Sequence, residues 1–103
     1  MRKQLKIAPS VVVEDLQAIY DYHLALSAEK AERIVAEYDS IIAVLELNPL
    51  LFHTRKNDWR IYPFDSGPYL LYYTEVESFW LVVGVFHASR DPAWIQKRVQ
   101  ARS

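Results

Sequence analysis

The chain contains no cysteine. That removes disulfide frameworks, thiolate nucleophiles and cysteine metal sites together, and it suits the reducing cytosol. Glycine is scarce, with two in 103 residues, so no glycine-rich loop exists to cradle a phosphate. No apolar run approaches the roughly 20 residues that a membrane span requires. Arg2, Lys3 and Lys6 make the start basic, but no apolar segment follows them, so no secretory leader is expected. His23, His53 and His87 lie far apart and have no spaced carboxylate partner, so neither a metal site nor a cofactor is expected. Internal repeats and low-complexity segments are absent.

What is present fits one globular domain over residues 1–103. Half the residues are hydrophobic and a quarter charged (51% and 24%), the balance of an ordinary folded chain of this length. The net charge of −1 hides a segregation. Residues 11–47 carry eight acidic and two basic side chains, and the remainder carries ten basic and five acidic ones. Such sorting arises from solvated helix faces, or from an acidic helical side and a basic sheet-and-tail side that meets a charged partner.

The stretch Gly67–Asp91, GPYLLYYTEVESFWLVVGVFHASRD, organises the rest. Tyr69–Thr74 and Phe79–His87 are rich in β-branched and aromatic residues, which fit a pleated surface, so they predict a hairpin broken at Glu75–Ser78. Alternation places Trp80, Val82, Gly84 and Phe86 on one face of the second strand. Phe79, Leu81, Val83 and Val85 fall on the other. A strand apolar on both faces is central in its sheet and covered on both sides.

In chain order, Gln4–Ala8 predicts a short strand, and Pro9-Ser10 ends it, with Ser10 placed to cap a helix over about 11–26. Val12, Leu16, Ile19, Tyr20 and His23 follow helical spacing and predict its buried face. Ser27 is positioned as a second cap. Ala31, Ile34, Val35, Tyr38, Ile41, Ile42 and Leu45 then form a stripe along a helix from Ala28 to Leu47, stopped by Asn48-Pro49. The short connection makes the two helices an antiparallel hairpin. Leu50–Asp58 reads as a loop with a basic tip. Trp59–Phe64 reads as a strand that Pro63 confines to an edge or a bulge. Asp65-Ser66-Gly67-Pro68 is turn chemistry. Asp91, followed by Pro92, caps a tail helix that runs to about Val99. The expected fold is α+β, β-α-α-β-β-β, with the helical hairpin on an antiparallel sheet and a short C-terminal helix.

The strand before Pro9-Ser10, the helix EDLQAIYDYHLALS, the second helix closing on LELNP, the WRIYPF strand with YLLYY, and VVGVFHASRD occur in a particular order. In that order and spacing they resemble the RelE/ParE superfamily of bacterial type II toxins, over about Lys6 to Asp91. The likeness is nearer the ParE branch, which includes plasmid-stabilisation proteins. It implies a cytoplasmic toxin that arrests growth by binding DNA gyrase and is neutralised by a cognate antitoxin. The alternatives are a RelE-type endoribonuclease that cuts mRNA on the ribosome, or an inactive relative that keeps only antitoxin binding. Members that cut mRNA are usually strongly basic; the near-neutral charge here favours the gyrase branch.

Ribonuclease chemistry would need a base for the ribose hydroxyl, an acid for the leaving oxygen and cations for the phosphorane. His53, Arg60, His87 and Arg90 supply those types, with Lys56 as a further cation and Tyr62, Tyr72 or Tyr73 as phenols. Each also has a plainer role: His87 as a strand-end hydrogen-bonding group, His53 as a surface loop residue, Arg60 as an ion-pair partner. For partner binding, Arg60, Trp94, Lys97 and Arg98 combine an aromatic anchor with a basic tail. His23, on the buried face of the first helix, is expected to be a satisfied core residue.

Overall fold

The computed structural model describes residues 3–52 and 59–102, and its four strands form one sheet in the order β1-β4-β3-β2. The strands are β1 (Gln4–Ile7), β2 (Trp59–Pro63), β3 (Tyr69–Val76) and β4 (Phe79–His87). Helices α1 (Gln17–Leu24) and α2 (Ala28–Leu47) lie between β1 and β2, and α3 (Pro92–Arg102) closes the chain. The α+β class and element order are those expected. The sheet, however, is mixed rather than antiparallel. β1 runs parallel to β4, from Gln4 opposite Phe79 to Ile7 opposite Val82. Two helices and two strands separate β1 from β4 in the chain, and that length permits a parallel pairing which a tight turn forbids.

The hairpin of α1 and α2 covers one face of the sheet. Leu16, Ile34, Tyr38, Ile41 and Leu45 pack there with Leu71, Tyr73, Trp80, Val82 and Val85. The opposite face is covered by α3, whose Ile95 and Val99 meet Val83 and Phe86. β4 is therefore central and covered on both sides, as its composition requires. Its faces do not alternate strictly. Tyr72 stands opposite Gly84 but Tyr73 stands opposite Val82, so Val83 is an extra residue, a β-bulge that resets the side-chain phase. Val85 consequently joins Trp80 and Val82 on the hairpin face, and Phe86 turns to α3.

The bulge is closed by side chains. The Val85 N–H donates to Asp15 Oδ2 at 3.1 Å, and the Val83 carbonyl accepts from Arg102 Nη1 at 3.2 Å. Asp15 and Arg102 also bond to each other through two contacts of 2.5 and 2.9 Å. Their side chains are only 8% and 9% exposed, so both charges depend on this pairing. The hydrogen bond to Asp15 raises the Arg102 pKa and outweighs the opposing effect of burial. Gly84 sits beside the pair for reasons of space. A Cβ there would lie 2.3 Å from the Phe86 ring and 3.3 Å from Arg102 Nη1.

Several local expectations are modified. Ser27 caps α2 as expected, accepting the Lys30 N–H at 3.3 Å. Ser10 caps nothing; its own backbone is helical (φ −64°, ψ −19°), because Pro9 already starts the turn with its preset φ. The chain then makes a π-helical turn over Val11–Leu16. Its wider repeat buries Val11 and Leu16, five residues apart, and leaves Val12 47% exposed. β3 extends through Glu75 and Val76, so only Glu77 and Ser78 form the turn. α3 runs on to Arg102 rather than stopping near Val99, and the Ala93 N–H donates to Asp91 Oδ1 at 3.1 Å as its cap. The turn before β3 is tied to α2 by Glu37, which accepts from the backbone of Asp65 and Ser66 at 2.7 and 2.8 Å and from the Ser66 hydroxyl. Burial opposes ionisation of Glu37, but these donors outweigh it and hold the carboxyl below its ordinary value.

Two stability predictions follow from this packing. Ile41 is 2% exposed at the hairpin–sheet contact, and Ile41→Ala should cost about 2–5 kcal/mol; a loss under about 0.5 kcal/mol in urea denaturation would contradict its burial. Arg102→Ala leaves Asp15 as a buried unpaired charge and should cost about 3–5 kcal/mol. Asp15→Ala combined with Arg102→Ala should cost less than the two single losses added together. Strict additivity in that cycle would show that the pair does not act as a unit.

Candidate functional site

A groove of about 800 Å³ runs between the first helix, the ends of β3 and β4, and α3. His23, Lys30, Tyr69, His87 and Arg90 line it, as do Glu14, Asp15 and Arg98. The first helix sets its length. Glu14 lies in the opening π turn, whereas Lys30 belongs to the start of α2, beside the end of α1. Nine residues from Glu14 to His23 span roughly 14 Å at helical rise.

The histidine end is a chain of rings. His23 Nε2 and the Tyr69 hydroxyl are 2.7 Å apart, and Tyr69 meets His87 edge to face at 5.5 Å between centroids. Burial raises the Tyr69 pKa, with Tyr22 adding to the effect. Burial, and secondly the charge of Lys30, lowers the His23 pKa. The His23–Tyr69 contact is therefore made between neutral groups near pH 7, which is how a buried histidine is satisfied without a counter-charge. His87 Nδ1 accepts the Ser89 N–H at 3.0 Å, so its ring proton lies on Nε2. His87 here does the work of a strand-end residue, holding the turn that leads to Arg90 and Asp91.

Along α3 the aromatic element is Trp94, half-buried and edge-on to Phe86 at 5.4 Å. The guanidinium groups of Arg90 and Arg98 both stack on its ring, at 4.5 and 4.8 Å from the centroid. Arg98 also lies 3.9 Å from Glu14, which bonds Arg102 at 2.9 Å. Such stacking fixes an otherwise floppy side chain while its N–H donors stay available at the edge.

The residues proposed from sequence separate into groups. His87 and Arg90 share the groove with Trp94 and Arg98; Lys97 is exposed on the same helix. Arg60 is elsewhere. It pairs in register with buried Tyr73, lies over the Trp80 ring at 5.4 Å and donates to the Phe52 carbonyl. That is the hairpin side of the sheet, because Trp80 and Tyr73 belong to its core. His53 and Lys56 fall outside the described residues. Of the phenols, Tyr73 donates to the Pro49 carbonyl at 2.8 Å, Tyr62 packs on Phe52 and Tyr72 on Phe86. Among the described residues, no group of three His, Asp or Glu side chains is placed to hold a metal ion, and no helix is long and apolar enough to cross a membrane.

Sequence reasoning missed Asp15, Tyr22, Lys30 and Arg102. A signal existed for Asp15: with Ile19 and His23 it repeats every four residues, which puts a carboxylate on the buried stripe of the first helix. Arg102 carried no such mark, because its role depends on the bulge.

A helical hairpin on one face of a four-stranded sheet, a short helix on the other, and a charged aromatic groove at their junction define a small α+β domain. Residues 6–92 match the family model described as the ParE toxin of the type II toxin-antitoxin system, parDE, and the chain belongs to that family. A chain in a solved structure of the chromosomal ParDE toxin–antitoxin system from P. aeruginosa superposes with a TM-score of 0.71. The match covers 82% of this chain and 95% of that one at 19% identity, which speaks to the fold alone. The sequence has no match among curated proteins.

The lowered pKa of His23 sets a pH dependence. The unfolded chain takes up the proton first, near the ordinary value of about 6.5. Stability is therefore complete above that pH and falls as pH drops through 6.5 towards the lowered value. His23→Gln removes the titrating group, so the difference between urea midpoints at pH 7.5 and pH 5 should shrink. An unchanged difference would assign the acid sensitivity to other groups.

Proposed function

We propose that this chain is the toxin of a type II pair, that it arrests growth by binding DNA gyrase, and that a cognate antitoxin neutralises it. The match to the ParE family over residues 6–92 supports the reading. The observation that carries the choice of target is the separation of the ribonuclease candidates. His87 and Arg90 share one groove, while Arg60 is turned to the hairpin side and engaged with Phe52 and Trp80. In-line cleavage of RNA requires its acid, base and phosphate clamp around a single scissile bond. Arg60, with its guanidinium held against Trp80, is no part of such a clamp.

With Arg60 apart from His87 and Arg90, the chemistry this reading uses is recognition. The groove offers aromatic area and two stacked guanidinium groups, side-chain types enriched at protein contacts. The non-enzymatic reading therefore makes gyrase and the antitoxin protein partners of the chain, with no cofactor.

Expression without antitoxin should arrest growth and inhibit supercoiling by purified gyrase, and primer extension on translated messages should show no new ends. Codon-positioned cuts that vanish in His87→Ala would instead assign the chain to the ribosome-dependent endoribonucleases. Normal growth, with antitoxin binding retained, would make it an inactive relative.

A further inference from the structure

We propose that the groove between the first helix and α3 is the docking site for an acidic segment of the antitoxin, which seats a carboxylate between Lys30 and Arg90. The proposal rests on the antitoxin reading above and adds the site and its chemistry.

Charge is unevenly satisfied along the groove. Asp15 is neutralised by Arg102, and Glu14 is shared between Arg102 and Arg98. Lys30 and Arg90 are different. Both line the groove, the Arg90 backbone N–H donates to the His87 carbonyl at 3.0 Å, and among the described residues neither Lys30 nor Arg90 forms an ion pair. The influence of Lys30 already reaches His23, whose pKa it lowers. Two cations left unmatched at one end of a concave, partly apolar surface fit an anion.

The form of that anion follows from the neighbours. The Trp94 ring already carries two guanidinium groups, so it is engaged with protein rather than open for a stacked base, the usual anchor of single-stranded RNA. Roughly 14 Å along the helix from His23, Glu14 stands 57% exposed in its side chain. A phosphodiester chain laid along the groove would run from favourable charge into repulsive charge. An isolated Asp or Glu of a peptide meets only the favourable end. Arg90, over the indole at 4.5 Å, carries a guanidinium fork suited to a carboxylate. Tyr22, 63% exposed beside the groove, offers apolar area to the neighbouring side chains of the segment.

The test measures association of the purified antitoxin with the full chain and with Arg90→Glu, Lys30→Glu and, as a surface control, Arg33→Glu on the exposed side of α2. Arg90→Glu and Lys30→Glu should each weaken binding on the order of 30-fold or more, with a larger effect at low salt, and Arg33→Glu should bind as the parent does. Changing individual antitoxin acids to Lys should identify one that restores affinity for Arg90→Glu. If the parent binds and both charge reversals bind equally well, the groove is not the antitoxin site, although the antitoxin reading stands. If the parent fails to bind the antitoxin at all, that reading falls and this proposal with it. Tight binding of a single-stranded RNA oligonucleotide that Arg90→Glu abolishes, with antitoxin affinity unchanged, would also overturn it.

Discussion

The structure depends on how a β-bulge in its central strand is satisfied. A bulge leaves backbone groups without ladder partners, and inside a protein covered on both faces such groups find no water. Here the Val85 N–H and the Val83 carbonyl are taken by Asp15 and Arg102. One interaction thus joins the first helix, the middle of β4 and the last described residue of α3. It also explains two irregularities. The π-helical turn over Val11–Leu16 carries Asp15 towards β4, and Gly84 keeps clear the space that Phe86 and Arg102 occupy. A charge pair so little exposed is a conditional contributor to stability: intact, it satisfies the backbone; with one partner removed, it leaves a buried charge.

The bulge also decides where the groove forms. By resetting the phase of β4 it turns Phe86 towards α3, and Phe86 supplies the edge on which Trp94 rests. Trp94 in turn holds Arg90 and Arg98. Without the extra residue, Phe86 would face the helical hairpin and α3 would lose its main aromatic contact. The charged rim of the groove is thus a downstream consequence of a single insertion in strand register.

On the reading proposed above, the groove is a surface for recognition. Of the described histidines, His23 bonds Tyr69 and His87 bonds Ser89. Of the arginines proposed from sequence, Arg60 lies on the hairpin side of the sheet and Arg90 and Arg98 line the groove. Acid–base chemistry needs groups left available to a substrate and gathered about one bond. Among the described residues, the groove presents aromatic surface and positive charge. These are suited to a protein partner, consistent with membership of a family in which toxin and antitoxin act as a pair.

By itself the sequence determined the element order, the helical hairpin with its Ser27 cap, the edge position of the Pro63 strand, the two-sided burial of β4, and the Asp91 cap. All of these rest on local signals: periodicity within about 20 residues, a capping side chain, a proline that cannot donate. The motif order across the chain also sufficed to indicate the family. The tertiary structure alone decided the parallel pairing of β1, the bulge at Val83, and the turning of Arg60 to the hairpin face. It alone brought Asp15 to Arg102, 87 positions away. Alternation in a strand is legible only while the register holds, and the Val83–Val85 segment is apolar whichever face each residue takes. The residue that breaks the register therefore leaves no mark in the pattern. A contact between chain ends has no local signature either, because its partners become neighbours only after the sheet between them has formed.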